Sequence, residues 1–176
     1  MESSTDTRTP SQIARDSFRT LFDERDLSDP YRLWSDDSVD HFLAAGQSVR
    51  GAQALAQWFG ELLAAVPDFR MEVLNAFDDG DRQATIQWHA TGTFTGGPFL
   101  GIEANGRRLD IRGVDVMRFG ADGKIDENWI YYDGAEFARQ LGMLPPRDSA
   151  ADRAVLAAFN AKTRLEQRLG RGRPAA

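Results

Sequence analysis

Asp115 is the residue whose type and position most suggest chemistry. It sits in the run Leu109, Ile111, Gly113, Asp115, Met117, Phe119, in which alternate residues are apolar. Arg108, Asp110, Arg112 and Arg118 occupy the other phase. Period-two alternation predicts a half-buried strand, with Asp115 on its apolar face. A carboxyl group removed from water is costly when charged, so its pKa rises toward the range useful for acid–base work near neutrality. The same placement also suits an Asp that is simply held by backbone amides or an Arg. His41 follows Asp40 in the segment Val39–Leu43 and is a candidate proton shuttle. His89 falls on the polar phase of its strand, beside Trp88, and is a weaker candidate.

Further along, Asn128, Ile130 and Tyr132 share one face of a strand, and Glu127, Trp129 and Tyr131 share the other. Alternation does not say which face meets a pocket. Asn128 and Tyr132 could hydrogen-bond a substrate carbonyl or enolate. Asp133 reads as a helix N-cap rather than a catalyst. Trp34, Trp58, Trp88, Phe94 and Trp129 could line a cavity for a flat ligand, or could be ordinary core.

The elements that must position these groups follow from patterning. Thr9-Pro10 caps a first helix running to about Asp26. Ser28-Asp29-Pro30 restarts a short helical turn carrying Tyr31 and Trp34, broken at Asp36-Asp37-Ser38. A helix from Ala52 to Val66 shows one apolar stripe, ended by Pro67-Asp68. Strands follow. In the first, Phe69, Met71, Val73 and Phe77 form the apolar phase; in the second, Ala84 to Phe94. Turns are expected at Asp78–Asp81, Asn105-Gly106 and Asp122-Gly123. Asp133 leads into a short helix ended by Gly142. Helices first and a meander after them predict an α+β fold, with helices packed on one face of a curved antiparallel sheet. Such a cone encloses an apolar pocket. The predicted organisation is a disordered stretch over 1–8, one domain over 9–146, and a helical basic extension over 147–176.

Composition narrows the chemistry. The chain of 176 residues has no Cys and two His, which excludes disulfides, thiolate nucleophiles and Cys-based metal sites and disfavours a His-built one. No glycine-rich phosphate loop, dinucleotide fingerprint or nucleophile elbow is present. No cofactor and no metal are expected. The net charge of −6 disfavours nucleic-acid binding. Residues 150–176 hold six basic and two acidic residues, so the remainder of the chain carries about −10. A polar N-terminus and the lack of a long apolar run point to a cytoplasmic protein without a membrane partner.

Several segments together resemble the SnoaL-like polyketide cyclases of the nuclear-transport-factor-2-like superfamily. These are VDHF (39–42), PDFRMEV (67–73), GTFTG (92–96), RRLDIRGVDVMRF (107–119), DGKIDENW (122–129), YYD (131–133) and RQLG (139–142). The resemblance spans about residues 12–144. It implies a cone of curved sheet with three helices, a homodimer, and a pocket working without a cofactor. It implies cyclisation of a polyketide by intramolecular aldol condensation, with an Asp as acid/base. The family's polar pocket residue falls at His41, its His at Asp115, and its acid/base Asp at Ile130. The acid is therefore expected to have moved to Asp115. Three functions stay open. One is a cofactor-independent enzyme of cyclisation, isomerisation or dehydration acting on a hydrophobic carbonyl compound. Another is a non-catalytic binding or dimerisation module. The third is an epoxide-opening enzyme, which a single Asp on the apolar face disfavours because such sites want paired acids.

Overall fold

A computed structural model describes residues 8–80 and 82–170. The expectation of disorder over 1–8 falls, apart from Arg8, outside the described residues, as does the end of the basic extension beyond Gly170.

The chain opens with α1 (Pro10–Phe18), where Thr9 and Gln12 form a reciprocal capping box. A π-helical turn over Arg19–Asp23 continues it, so the helical region ends close to where spacing places it. Pro30–Arg32 is a 3₁₀ turn capped by Asp29. Then come β1 (Trp34–Phe42), β2 (Gln47–Arg50) and α2 (Ala52–Ala65). Four long strands follow: β3 (Arg70–Asp78), β4 (Gln83–Thr93), β5 (Arg108–Phe119) and β6 (Ile125–Tyr132). The chain ends in α3 (Gly134–Gln140), capped by Asp133, and α4 (Ala150–Gly170).

The six strands make one curved, open sheet in the order β2-β1-β6-β5-β4-β3. Neighbours are antiparallel except β1 and β6, which run parallel. The hairpin β1–β2 is made first, and α2 then carries the chain to the far edge. The meander β3–β6 returns beside β1, so a residue near position 40 meets one near position 128. The apolar phase of the sheet faces α1 and α2, and this layer holds the core.

Two sequence expectations need correction, and one strand was not foreseen. Trp34 does not belong to a helical turn. It begins β1, and Asp36–Ser38 lies within that strand, where the pairing with β6 slips between Trp34 and Val39. The short edge strand β2 carried too little pattern to be foreseen. Phe77 is 59% exposed, although it continues the phase of Met71 and Val73. The cause is a bulge. Val73 pairs with Trp88 but Asn75 with Gln87, so one extra residue reverses the phase beyond it.

Gly96 tests how α2 docks on the sheet. Its amide donates to the carbonyl of Ala65 at 2.9 Å. A Cβ at this position would lie 1.8 Å from the carbonyl oxygen of Ala64, which is backbone and cannot step aside. Gly96→Ala is expected to destabilise the protein by about 3 kcal/mol, the upper range of overpacking costs, measured as a lower urea midpoint at unchanged m.

Candidate functional site

The concave face of the sheet and the helices over it enclose an apolar cavity of about 120 Å³. That approaches the order of 150 Å³ at which an engineered apolar cavity takes up one benzene-sized ring. Exposed Leu100 and half-buried Trp58, Leu62, Tyr132 and Phe137 belong to its wall, so the cavity reaches the surface on their side.

Four side chains on four neighbouring strands, Trp88, Asp115, Asn128 and Asp40, form a polar cluster in this cavity. Asp115 of β5 pairs with Ile130 of β6, and Asn128 of β6 pairs with Asp40 of β1. Each of these residues sits on the inward phase of its strand. Trp88 Nε1 donates to Asp115 Oδ1 at 2.8 Å, and Asn128 Nδ2 donates to Asp115 Oδ2 at 2.9 Å. The carboxylate is therefore held by two side-chain donors rather than by backbone amides. Asp40, Asp115 and Asn128 are 1%, 5% and 3% exposed.

Trp88 reaches Asp115 because its register partner is Gly113. A Cβ on Gly113 would stand 2.2 Å from the indole ring. The missing side chain thus gives the indole its resting place, two residues from the carboxyl that it serves.

Burial raises the Asp115 pKa to about 6, against the pull of the Asn128 and Trp88 hydrogen bonds. Asp40 rises well above the ordinary carboxyl range. Burial is its main cause, and the neighbouring Asp115 charge adds to it, while a hydrogen bond from Asn128 acts the other way. The charge of Asp115 thus pushes Asp40 further toward its protonated form, so Asp115 is the first of the two to ionise. Unmatched atoms agree with this: Asp40 Oδ1 and Asn128 Oδ1 are buried acceptors without a donor. A proton on Asp40 turns one acceptor into a donor.

The remaining sequence candidates divide. Trp34, Trp58, Trp88, Asn128, Ile130 and Tyr132 line the cavity beside Asp115. Burial also raises the Tyr132 phenol. Phe94 is buried in the core but does not line the cavity. His41 is a correction. Strand alternation turns its ring to the outer face, where it meets Ser48 Oγ at 2.8 Å and Glu127 Oε1 at 3.0 Å and stacks on Trp129. The inward residue is Asp40, one position earlier. His89 is likewise outside, hydrogen-bonded to Asp110 at 2.8 Å. Asp133 accepts from the Glu136 amide as a cap. Sequence reasoning missed Asp40 and the role of Gly113. Phe42, two residues on, carried the phase that could have exposed Asp40. Among the described residues, no group of three or more His, Asp or Glu is placed to hold a metal ion.

A buried acid with a raised pKa sets a signed pH dependence. The folded state binds the Asp115 proton more tightly than the unfolded chain does. Its contribution is most favourable below about pH 4 and falls by about 3 kcal/mol as pH rises through about 6. Asp40 acts in the same direction. Asp40→Asn mimics the neutral acid, so its stability relative to the parent should increase between pH 5 and pH 8. Urea unfolding at the two pH values measures it, and a flat difference contradicts a neutral Asp40.

Known proteins place this architecture. The profile of the SnoaL-like polyketide cyclases matches residues 12–141. No curated protein sequence matches significantly. Solved structures do. AclR of Streptomyces galilaeus aligns with TM-score 0.64 at 22% identity, over 94% of this chain and 98% of its own. TsrD of Streptomyces laurentii gives 0.65 at 23%, over 79% and 98%. A SnoaL-like polyketide cyclase of Agrobacterium tumefaciens gives 0.62 at 20%, over 77% and 100%. At such identities the structures speak for the fold, and the profile speaks for the family: the chain belongs to the SnoaL-like polyketide cyclases.

Proposed function

We propose that this protein is an acid–base enzyme that cyclises, isomerises or dehydrates a hydrophobic carbonyl compound of polyketide type. One observation carries the reading. Two buried carboxyl groups flank Asn128 in an otherwise apolar cavity; burial raises both, and the charge of Asp115 raises Asp40 further, so the two are separated. Carboxyls with separated pKa values divide into a base and an acid.

In the cyclisation, the Asp115 carboxylate removes a proton from the carbon α to a carbonyl. The enolate oxygen accepts hydrogen bonds from neutral Asp40 and from Tyr132. The enolate carbon attacks a second carbonyl of the same molecule, forming the ring bond. The proton on Asp115 then passes to the new alkoxide, so no proton is gained or lost overall. Trp88 and Asn128 hold the carboxylate in place, and the apolar wall orients the reacting carbons. Asp115 here takes the work that the family resemblance assigns to the position of Ile130, which stands directly across the strand pair from it. A cavity near one ring in size suits one reacting ring at a time.

The second carboxyl also favours epoxide opening, which a single Asp had disfavoured. Asp115 would take a proton from water as that water attacks the epoxide carbon, and Asp40 would give its proton to the epoxide oxygen. The product is a diol.

Asp115→Asn decides whether either reaction uses this carboxylate. With a short poly-β-ketone substrate, kcat is expected to fall about 10²–10⁴-fold, the usual share of general acid–base catalysis, with little change in KM. Undiminished turnover overturns the proposal. Reaction of a hydrophobic epoxide in ¹⁸O-water separates the second reading, since only opening by water places the label in the product. Binding of both compounds without turnover of either would leave a binding module instead.

A further inference from the structure

We infer that α4 is an exchanged arm, which packs on the domain of a second copy of this chain. The helix is 21 residues long, roughly 30 Å at 1.5 Å per residue. That nearly matches the width of a domain of this size. Val155, Leu156, Phe159, Leu165 and Leu169 are each 58–68% exposed. At 100° per residue these five fall within about half of the helix circumference, which the Lys162–Glu166 ion pair and Asp152 share, while Arg153, Asn160, Arg164 and Arg168 occupy the other half. Between residues 150 and 169 only Asp152 and Thr163 are even half-buried. An amphipathic helix draws most of its stability from packing that face.

Among the described residues, α4 packs on no other element of its own domain to any extent. Pro145-Pro146 stiffens the connection. Arg147 then ties it to the start of α3, through Asp133 at 3.3 Å and Glu136 at 3.7 Å. Ser149 Oγ accepts from the Asp152 amide and caps α4, and Arg153 bonds back to the Asp148 carbonyl. These contacts fix the connection and the first turn of the helix.

Charge selects the occupant. The extension from residue 150 carries about +4 and the rest of the chain about −10. Two arms laid together would oppose like charges, whereas an arm on a second copy's domain joins opposite ones. A twofold exchange satisfies both copies at once. The arm also has a place beyond this chain. The alignment with AclR covers 94% of the residues, more than the domain alone can supply, so part of α4 has a counterpart in that fold.

The chain has no Cys, so a single introduced thiol reports one position. Full-length Thr163→Cys protein, labelled with a benzophenone maleimide, is mixed as ¹⁴N and ¹⁵N populations, allowed to exchange, and irradiated. The expected cross-links join the arm of one isotope to peptides from residues 8–146 of the other. Cross-links confined to one isotope, or joining arm to arm, overturn the proposal. In sedimentation, Leu156→Glu/Phe159→Glu should raise the dimer dissociation constant at least tenfold, with near-ultraviolet dichroism unchanged. An unchanged constant, or monomers that bind phosphatidylserine vesicles through α4, overturns it equally.

Discussion

Two carboxyl groups lie on the inner surface of one apolar cavity, and that surface tolerates a single charge between them. Each group alone is disfavoured in its ionised form, and a charge on either opposes a charge on the other. Most of what is distinctive in this structure follows from satisfying that constraint. Asp115 gathers the available donors, the Trp88 indole and the Asn128 amide, and carries the charge. Asp40 gathers none within normal bonding geometry on Oδ1 and is the more disfavoured of the two as an anion. The asymmetry arises from donor supply rather than from depth, because both groups are essentially fully buried.

The surrounding elements can be read as the means of supplying those donors. Asn128 can stand between the carboxyls only because the meander brings β6 back between β5 and β1. Trp88 can reach across only because β5 has no side chain at Gly113. The bulge in β3 lies at the same level of the sheet, immediately beyond the Val73–Trp88 pair. Bulges bend and twist the strand that carries them. The helices then exclude water, which raises both pKa values and strengthens each hydrogen bond in the network. The stability cost of buried acids and their chemical usefulness thus have one origin.

Much of this was legible in the sequence, and the failures share a cause. The run around Asp115 alternates between strong turns, so period two fixed its face; around Asn128 it fixed which residues share a face but not which face meets the cavity. The segment 34–42 does not alternate cleanly. Its register slips, Asp36 and Asp37 are exposed, and Val39, Asp40 and Phe42 are all buried. The phase of Phe42 points to Asp40 as the inward residue, but Val39, equally apolar and buried, shares the phase of His41 and points the other way. The more familiar proton carrier was therefore favoured, and the sheet turned it outward. Phe77 failed in the same way, since a bulge reverses phase without changing composition. Phe94 was a candidate for the cavity wall and lies in the core behind it, because whether a core aromatic also borders a cavity depends on the layer opposite. Trp88 was legible as a wall residue, yet its bond to Asp115 required knowing that Gly113 was its cross-strand partner.

The position of Ile130 brings these strands of argument together. In the family resemblance it stands where an acid/base carboxylate is expected, which by itself would suggest a silenced site. Its side chain is buried in the cavity wall, directly paired with Asp115. A carboxylate at 130 beside Asp115 and Asp40 would put three acids in one dry space, and only one could ionise. An apolar residue at 130 and an acid at 115 are therefore complementary choices. The first removes a competitor for the single charge, and the second restores a carboxyl one strand away, where Trp88 and Asn128 can stabilise it. On the proposed reading the altered pattern is an exchange of positions between neighbouring strands that keeps one raised carboxyl beside Trp88 and Asn128.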